Sequence, residues 1–229
     1  MDKKEYDRLL FEYLDQYVTD NKKQVFDQVL NQRTRKLTLV LEDIFKPHNA
    51  SAVMRTAECL GLQDVHVVEQ NNSFDFNPYV LRGSGKWLTV HHHKDRKSHN
   101  IESCFRQLKE GGYQIIATSP KSSAVDYREV DLSKKTAVIF GAEETGISEY
   151  VTENADQLIT IPMKGFTESF NISVSAAIVL EYFNHELRKS DGWQLSSEEK
   201  FSLLLEWYRK VVPKVHLHIK HFEKNLNLS

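Results

Sequence analysis

The sequence predicts an α/β fold, in which a mostly parallel sheet carries helices on both faces and is flanked by helical extensions. Short apolar runs of strand length alternate with helical segments through the middle of the chain. Such alternation is typical of a parallel sheet, because crossover helices bury both of its faces. The two ends carry helical periodicity alone. We therefore divide the chain into an N-terminal helical extension at 1–35, an α/β core at 36–190, and a C-terminal helical extension with a basic tail at 191–229.

Local patterns define the elements in order. The first extension has one helix with Leu9, Leu10, Tyr13 and Leu14 at helical spacing and a second that begins behind Asp20 as its N-cap. The predicted strands of the core are Leu37–Leu41, Val65–Glu69, Trp87–His91, Gln114–Thr118, Ala137–Phe140 and Leu158–Ile161. Its main helices are Ala50–Leu60, ended by Gly61, Ile101–Lys109, ended by Gly111 and Gly112, and a long helix from about Asn171 to Lys189. A further helix from Ser196 leads to Pro213 and the tail.

The long helix is apolar around much of its circumference. Ile172, Ala176 and Val179 lie on one face, while Val174 and Ile178 lie on another. A surface that wide indicates burial on two sides, the second of them by another subunit.

Composition excludes several classes of protein. Of the 229 residues 40% are hydrophobic, yet the longest apolar stretches are far shorter than the roughly 20 residues of a membrane span. The N-terminus lacks the apolar segment of a secretory signal, and Cys59 and Cys104 have no partner spacing for a disulfide or a zinc ribbon. We expect a cytoplasmic protein. The net charge of −2 excludes a uniformly basic one.

Four polar loops follow predicted strands, where an open parallel sheet binds ligands. They are 46–51, 118–120, 141–146 and 162–171. Neither G-x-G-x-x-G nor a P-loop occurs, so a dinucleotide-type phosphate site is excluded.

Single residues in these loops allow two interpretations each. Arg55 has small neighbours at Ala52 and Cys59, which leaves room for its guanidinium to grip a phosphate, although a solvated arginine fits as well. Helix capping would account for Asn49, and a carboxylate such as Glu143 can cap the next helix. Ser169 and Asn171 precede the long helix and are capping candidates too.

Together, three strings are more specific. NASAVMRTA at 49–57, VIFGAEETGI at 138–147, and IPM at 161–163 with SFNISVSAA at 169–177 resemble, in order and spacing, the three motifs of the SpoU-type RNA ribose 2′-O-methyltransferases. The resemblance covers about 39–181. Within the family, the flanks and the preceding Lys46-Pro47-His48 are most similar to the enzymes that act on tRNA guanosine.

The resemblance implies a C-terminal trefoil knot, a homodimer joined through the knot region, and S-adenosylmethionine as the cofactor. It implies that cofactor-binding residues are Thr118, Gly141, Ile161, Met163, Phe170 and Ser173. It also implies a catalytic group of Arg55, Asn49, Glu143, Ser169 and Asn171, in which Arg55 approaches the ribose and its phosphate. A guanidinium with a pKa above about 12 is a poor general base, so we favour positioning and charge stabilisation for Arg55.

Bases are concentrated in the flanks. Residues 22–36 and 209–224 each contain five bases and one acid. A solvated face is one interpretation, and an RNA-backbone footprint is the other. Our RNA-binding candidates are His48, Arg33, Arg35, Lys36, Arg209, Lys210, Lys214 and Lys220. The expected partner is tRNA, methylated at the D-loop guanosine. Alternatives are a ribosomal RNA 2′-O-methyltransferase of the same family and a catalytically silent RNA-binding homologue.

Histidine runs suggest metal binding at first sight. One set is His91, His92, His93 and His99, and the other is His216, His218 and His221. Consecutive strand residues point to opposite faces, and no carboxylate or cysteine in the sequence clearly completes either set. We therefore expect no metal site from these runs.

Overall fold

A computed structural model describes residues 1–71, 83–95, 100–120 and 123–226. The chain forms two compact units. One comprises Met1–Arg33 with Gln194–Ser229, and the other comprises Thr34–Trp193.

The unit Thr34–Trp193 is built on a seven-stranded sheet whose neighbouring strands are all parallel. The strands are β1 (Leu37–Glu42), β2 (Asp64–Val68), β3 (Thr89–His93), β4 (Tyr113–Thr118), β5 (Val125–Asp126), β6 (Lys135–Phe140) and β7 (Gln157–Thr160), in the spatial order β3-β2-β1-β6-β4-β7-β5. The predicted parallel α/β fold is confirmed. All six predicted strands occur with shifted ends, whereas the two-residue β5 is too short for periodicity to detect.

Helices cover the sheet on both faces. In the described part of this unit they are α3 (Pro47–Cys59), α4 (Asn100–Glu110), α5 (Glu149–Asn154) and α6 (Ile172–Leu187), with short 3₁₀ turns at Ser84–Lys86 and Tyr127–Glu129. The six-residue α5 was not predicted, since so short a helix gives little periodic signal.

Strand alternation divides the core into two layers. Leu39, Leu41 and Phe140 lie in the layer that contains residues of α3 and α6. Val40 and Ile139 lie in the opposite layer, with residues of α4 and α5. This arrangement explains why the strands are apolar throughout, because both faces are buried.

The four adjacent strands β1, β6, β4 and β7 end at the same edge of the sheet, because they are parallel. The four polar loops singled out in the sequence leave the sheet along this carboxyl edge. The topology therefore brings together segments that are more than 100 residues apart in the chain.

The unit Met1–Arg33 with Gln194–Ser229 is helical. It contains α1 (Lys3–Asp15), α2 (Asp20–Leu30), α7 (Ser197–Val211) and α8 (Val215–Asn225). Leu10, Leu14, Phe26, Trp207 and Phe222 are buried within it.

Two details of this unit differ from the prediction. The N-cap of α2 is Thr19, and Asp20 is its first helical residue, so the predicted cap is one residue too late. The basic tail after Pro213 forms α8, whose Phe222 packs edge-on against Tyr6. Among the residues that the structure describes, every helix is too short or too polar to span a bilayer.

Candidate active site

Asn49 lies in the first turn of α3, not at its cap. Pro47 occupies a first-turn position that suits proline, and Lys46 is the N-cap. The capping interpretation of Asn49 is therefore wrong. Its side chain is instead only 8% exposed, and Nδ2 donates a 2.6 Å hydrogen bond to Oε1 of Glu143.

Glu143 reaches Asn49 from the loop after β6. The next helix, α5, is capped by Ser148, which accepts a hydrogen bond from the amide of Val151. Glu143 therefore does not serve as its cap. The second carboxylate oxygen, Oε2, is buried and has no hydrogen-bond partner in the described part of the chain. A buried acceptor without a partner is costly, and such groups are often completed by a ligand.

The loop after β6 is held by two glycines. A Cβ on Gly141 would lie 2.3 Å from the backbone carbon and oxygen of Gly146, so the loop closes against Gly141 with no room for a side chain. Gly146 itself has φ of 71° and donates a 2.8 Å hydrogen bond to the carbonyl of Ala142. This tight turn fixes the backbone position from which Glu143 extends.

Asn171 connects the third motif to the first. Its Oδ1 accepts hydrogen bonds from the amide of Ser173 at 2.9 Å and from the hydroxyl of Ser173 at 2.7 Å, which confirms that it caps α6. Its Nδ2 donates a longer, 3.4 Å hydrogen bond to Oδ1 of Asn49. Asn171, Asn49 and Glu143 thus form one hydrogen-bonded chain across all three motifs.

Arg55 is exposed on α3, less than two turns beyond Asn49. An exposed guanidinium beside this edge suits the recognition of an anionic ligand. Ser169 is also exposed, in the segment before α6, and makes no hydrogen bond to Asn49, Glu143 or Asn171 in the described structure.

The residues expected to bind a cofactor lie around the ends of three neighbouring strands. The hydroxyl of Thr118 donates a 3.1 Å hydrogen bond to the carbonyl of Ile139, which ties β4 to β6. Ile161 and Met163 are half-buried just after β7, and Phe170 is 45% exposed. Backbone polar groups and apolar side chains therefore adjoin at this edge, as a ligand with both a flat apolar ring and polar groups requires.

Glu42 also supports the site, although no sequence signal distinguished it. Its Oε2 accepts a 3.0 Å hydrogen bond from the amide of Ser148, which joins the end of β1 to the loop after β6. Burial raises the pKa of the Glu42 carboxyl above its ordinary value. Because an acidic residue at a strand end is usually solvated, the sequence pattern did not predict that Glu42 is buried.

The basic candidates differ in their surroundings. Arg33 is 1% exposed beside the ring of Trp207, so it cannot reach an RNA phosphate in this conformation, and its assignment as an RNA contact is wrong for that reason. Arg35 pairs with Asp64 at 2.9 Å. Within the helical unit, Arg209 pairs with Asp7 and Lys210 with Glu206. His48, Lys214 and Lys220 are exposed, and Lys36 is half-buried.

The histidine runs make separate contacts. His91 lies 3.0 Å from Asp64, and His92 lies 3.5 Å from Glu69. In the helical unit, Nδ1 of His221 is 3.1 Å from the hydroxyl of Tyr13. His99 falls outside the described residues.

Comparison with known proteins places these features in context. The SpoU rRNA methylase family model matches residues 36–181. A tRNA (guanosine(18)-2′-O)-methyltransferase of Borreliella burgdorferi is 44% identical over 87% of this chain and 89% of its own length. The crystal structure of the A. aeolicus TrmH/SpoU tRNA modifying enzyme superposes with a TM-score of 0.74 and 28% identity, covering 85% of this chain and 98% of the other.

A second solved structure shares the fold. An AdoMet-bound rRNA methyltransferase from Sinorhizobium meliloti superposes with a TM-score of 0.59 and 23% identity over 71% of this chain and 60% of its own. The chain therefore spans nearly the whole length of the first two proteins and about three fifths of the third.

Proposed function

The chain belongs to the SpoU methylase family, and on that premise we propose that it is a tRNA (guanosine-2′-O)-methyltransferase that uses S-adenosylmethionine. The relatives named as tRNA (guanosine(18)-2′-O)-methyltransferases align over 87% and 84% of this chain. The expected target is accordingly the D-loop guanosine at position 18.

The observation that carries this proposal is the hydrogen-bonded chain Asn171–Asn49–Glu143. It joins one residue from each of the three motifs: Asn49 on α3, Glu143 in the loop after β6, and Asn171 at the N-cap of α6. The buried Oε2 of Glu143 has no partner among the described residues, which supports a role for this carboxylate toward a ligand. A substrate or cofactor donor at this position would provide that partner.

The carboxyl edge fits S-adenosylmethionine in chemical terms. When bound, this cofactor supplies an electrophilic methyl group on a sulfonium sulfur. Thr118, Gly141, Ile161, Met163, Phe170 and Ser173 would hold it, through loop backbone groups for its polar parts and apolar side chains for its adenine. The close approach of the loop to Gly141 leaves the backbone itself as the binding surface there.

The protein's task is to align a weak nucleophile. The cofactor would supply the methyl group, and the residues at this edge would hold the ribose 2′-hydroxyl oxygen in line with it while the hydroxyl proton passes to solvent water. Holding the oxygen about 3–3.5 Å from the methyl carbon accounts for much of the acceleration. Arg55 grips the adjacent phosphate and stabilises charge that develops on the oxygen, whereas Asn49 and Asn171 orient the ribose.

For tRNA binding, we assign the phosphate footprint to the exposed bases. His48 lies next to the site, and Lys214 and Lys220 lie in the C-terminal flank. Arg209 and Lys210 contribute less, because Asp7 and Glu206 already offset their charge. Lys36 and Arg35 are secondary contacts. The core at 36–190 performs the chemistry while the flanks position the RNA.

Two features of assembly complete the proposal. We expect a homodimer through the proposed knot region, and the second apolar face of α6 supports it, since Val174 is 43% exposed in the single chain. The trefoil knot is proposed from family membership. A tRNA substrate also implies that the enzyme works in the cytoplasm.

The test is methyl transfer from labelled S-adenosylmethionine to unmodified tRNA and to ribosomal RNA, followed by mapping of the labelled ribose. We expect label at the D-loop guanosine of tRNA. Label confined to ribosomal RNA would establish the alternative substrate, and cofactor binding without any transfer would indicate a silent homologue.

The role of Arg55 is tested separately. Arg55→Ala should reduce transfer by at least about a hundredfold while leaving the cofactor dissociation constant within about twofold. Arg106→Ala, on the opposite face of the sheet, is the matched control and should keep full turnover. Unchanged turnover in Arg55→Ala would refute the assignment.

A further inference from the structure

A buried cluster of nitrogen and sulfur ligands lies beneath α4, outside the methyltransferase site. It consists of His66 on β2, His93 on β3 and Cys104 on α4. The exposed fractions of these residues are 4%, 8% and 0%. The two histidines share a face of the sheet because His66 pairs with His91 and Val68 pairs with His93 in parallel register.

The cluster has the dimensions of a small metal site. One ligand atom from each residue lies within 4.8 Å of the other two, and Nδ1 of His66 is 3.1 Å from Nε2 of His93. Tetrahedral zinc, with bonds of about 2.0–2.3 Å, holds such atoms roughly 3.3–3.7 Å apart. Only small side-chain adjustments separate the present arrangement from that geometry.

We propose that His66, His93 and Cys104 bind one Zn²⁺ ion within the α/β unit, with a water molecule as the fourth ligand. Two imidazoles and a thiolate bind zinc in preference to harder cations such as Mg²⁺ and Ca²⁺. A cleft of about 590 Å³ adjoins the cluster at His93, which lines it together with Asn100 and Ser103.

The protonation states suit two of the three ligands directly. Burial, together with the neighbouring histidines, lowers the pKa of His66 to about 3 and that of His93 to about 4. Both imidazoles are therefore neutral at pH 7 and have a lone pair to offer. The hydrogen that one ring now donates to the other must move to the second nitrogen of its own ring.

Cys104 requires a proton to leave. Burial raises the pKa of its thiol, so the ion must displace that proton to form the Zn–S bond. Binding therefore releases one proton per ion to solvent and involves no change of oxidation state. Zinc affinity should rise with pH for this reason.

The simpler account is a neutral histidine pair, linked by its own hydrogen bond and packed against a cysteine. A spectroscopic test separates the two. The chain has two cysteines, so the full-length Cys59→Ala variant leaves Cys104 as its sole thiol. After dialysis against chelator, this variant is titrated with Co²⁺ as a zinc surrogate. We expect a thiolate-to-cobalt charge-transfer band that saturates at one equivalent and is displaced by one equivalent of Zn²⁺.

Two further variants identify the ligands. Cys104→Ala should abolish the band, and His93→Asn should weaken Co²⁺ and Zn²⁺ affinity by at least about tenfold. Absence of a band in Cys59→Ala would overturn the proposal, and that measurement does not depend on whether the other variants fold. Zn²⁺ that binds with unchanged affinity in Cys104→Ala would place the ion on surface histidines and overturn it equally.

Discussion

The hydrogen bond between Asn49 and Glu143 allows a quantitative test, because it links two elements through a single 2.6 Å contact. Asn49→Ala leaves a carboxylate that already has one buried oxygen without a partner in the described structure. A hydrogen bond to a charged group contributes about 1.5–3 kcal/mol. Alanine returns about 0.5 kcal/mol through its higher helix propensity in α3. We therefore expect the free energy of unfolding of the α/β unit to fall by about 1–2.5 kcal/mol.

Native-state hydrogen exchange of the β1 and β6 amides measures this loss, since the slowest amides report the opening of the sheet itself. His48→Ala, an exposed change in the same turn of α3, is the control and should shift the opening free energy by less than about 0.5 kcal/mol.

A double-mutant cycle isolates the pair. With Asn49→Ala, Glu143→Ala and the double variant, the coupling energy should be about 1.5–3 kcal/mol. Losses that simply add, with a coupling below about 0.5 kcal/mol, would refute the view that Asn49 and Glu143 act as one unit. Methyl transfer by the same variants then shows how much activity depends on that unit.

Three further predictions follow from other parts of the molecule. Gly141→Ala should abolish cofactor binding in calorimetry, because its Cβ would meet loop backbone at 2.3 Å, whereas Gly165→Ala, with no described atom within 4 Å, should bind normally. Lys214→Asn combined with Lys220→Ala should weaken tRNA binding and lower the number of counterions released on binding by about two. The cofactor affinity of this variant should be unchanged, and the control Lys109→Ala should bind tRNA like the wild type. Tyr208 donates a 3.0 Å hydrogen bond to Asp15, and burial followed by this bond raises its pKa. Its contribution to stability is therefore complete below the unfolded pKa of about 10 and is lost as pH rises further. Above about pH 10, the melting temperature of Tyr208→Phe should therefore fall less steeply with pH than that of the wild type. Equal slopes would contradict this account of Tyr208.

Local patterns in the sequence were sufficient for the fold class and for the positions of the site loops. Apolar strands alternating with helices imply a covered parallel sheet, and parallel strands end at one edge, so loops as distant as 46–51 and 162–171 had to converge. The strings at 49–57, 138–147 and 169–177 then indicated the family before any geometry was considered. These inferences succeeded because they depend on short-range periodicity and on residue order, which the chain carries explicitly.

The tertiary structure decided which side chains meet and which are buried. Asn49 forms no cap, because Pro47 and Lys46 begin α3 earlier, and its amide turns to a carboxylate 94 residues away. Arg33 has the positive charge that a contact to RNA phosphate requires, but it lies beside Trp207 in the interior of the helical unit. No spacing pattern in the sequence connects His66 and Cys104 with His93, yet strand register and the packing of α4 place the three side chains together. Such pairings depend on register and on helix packing across the sheet, and neither quantity is encoded in the spacing of residues along the chain.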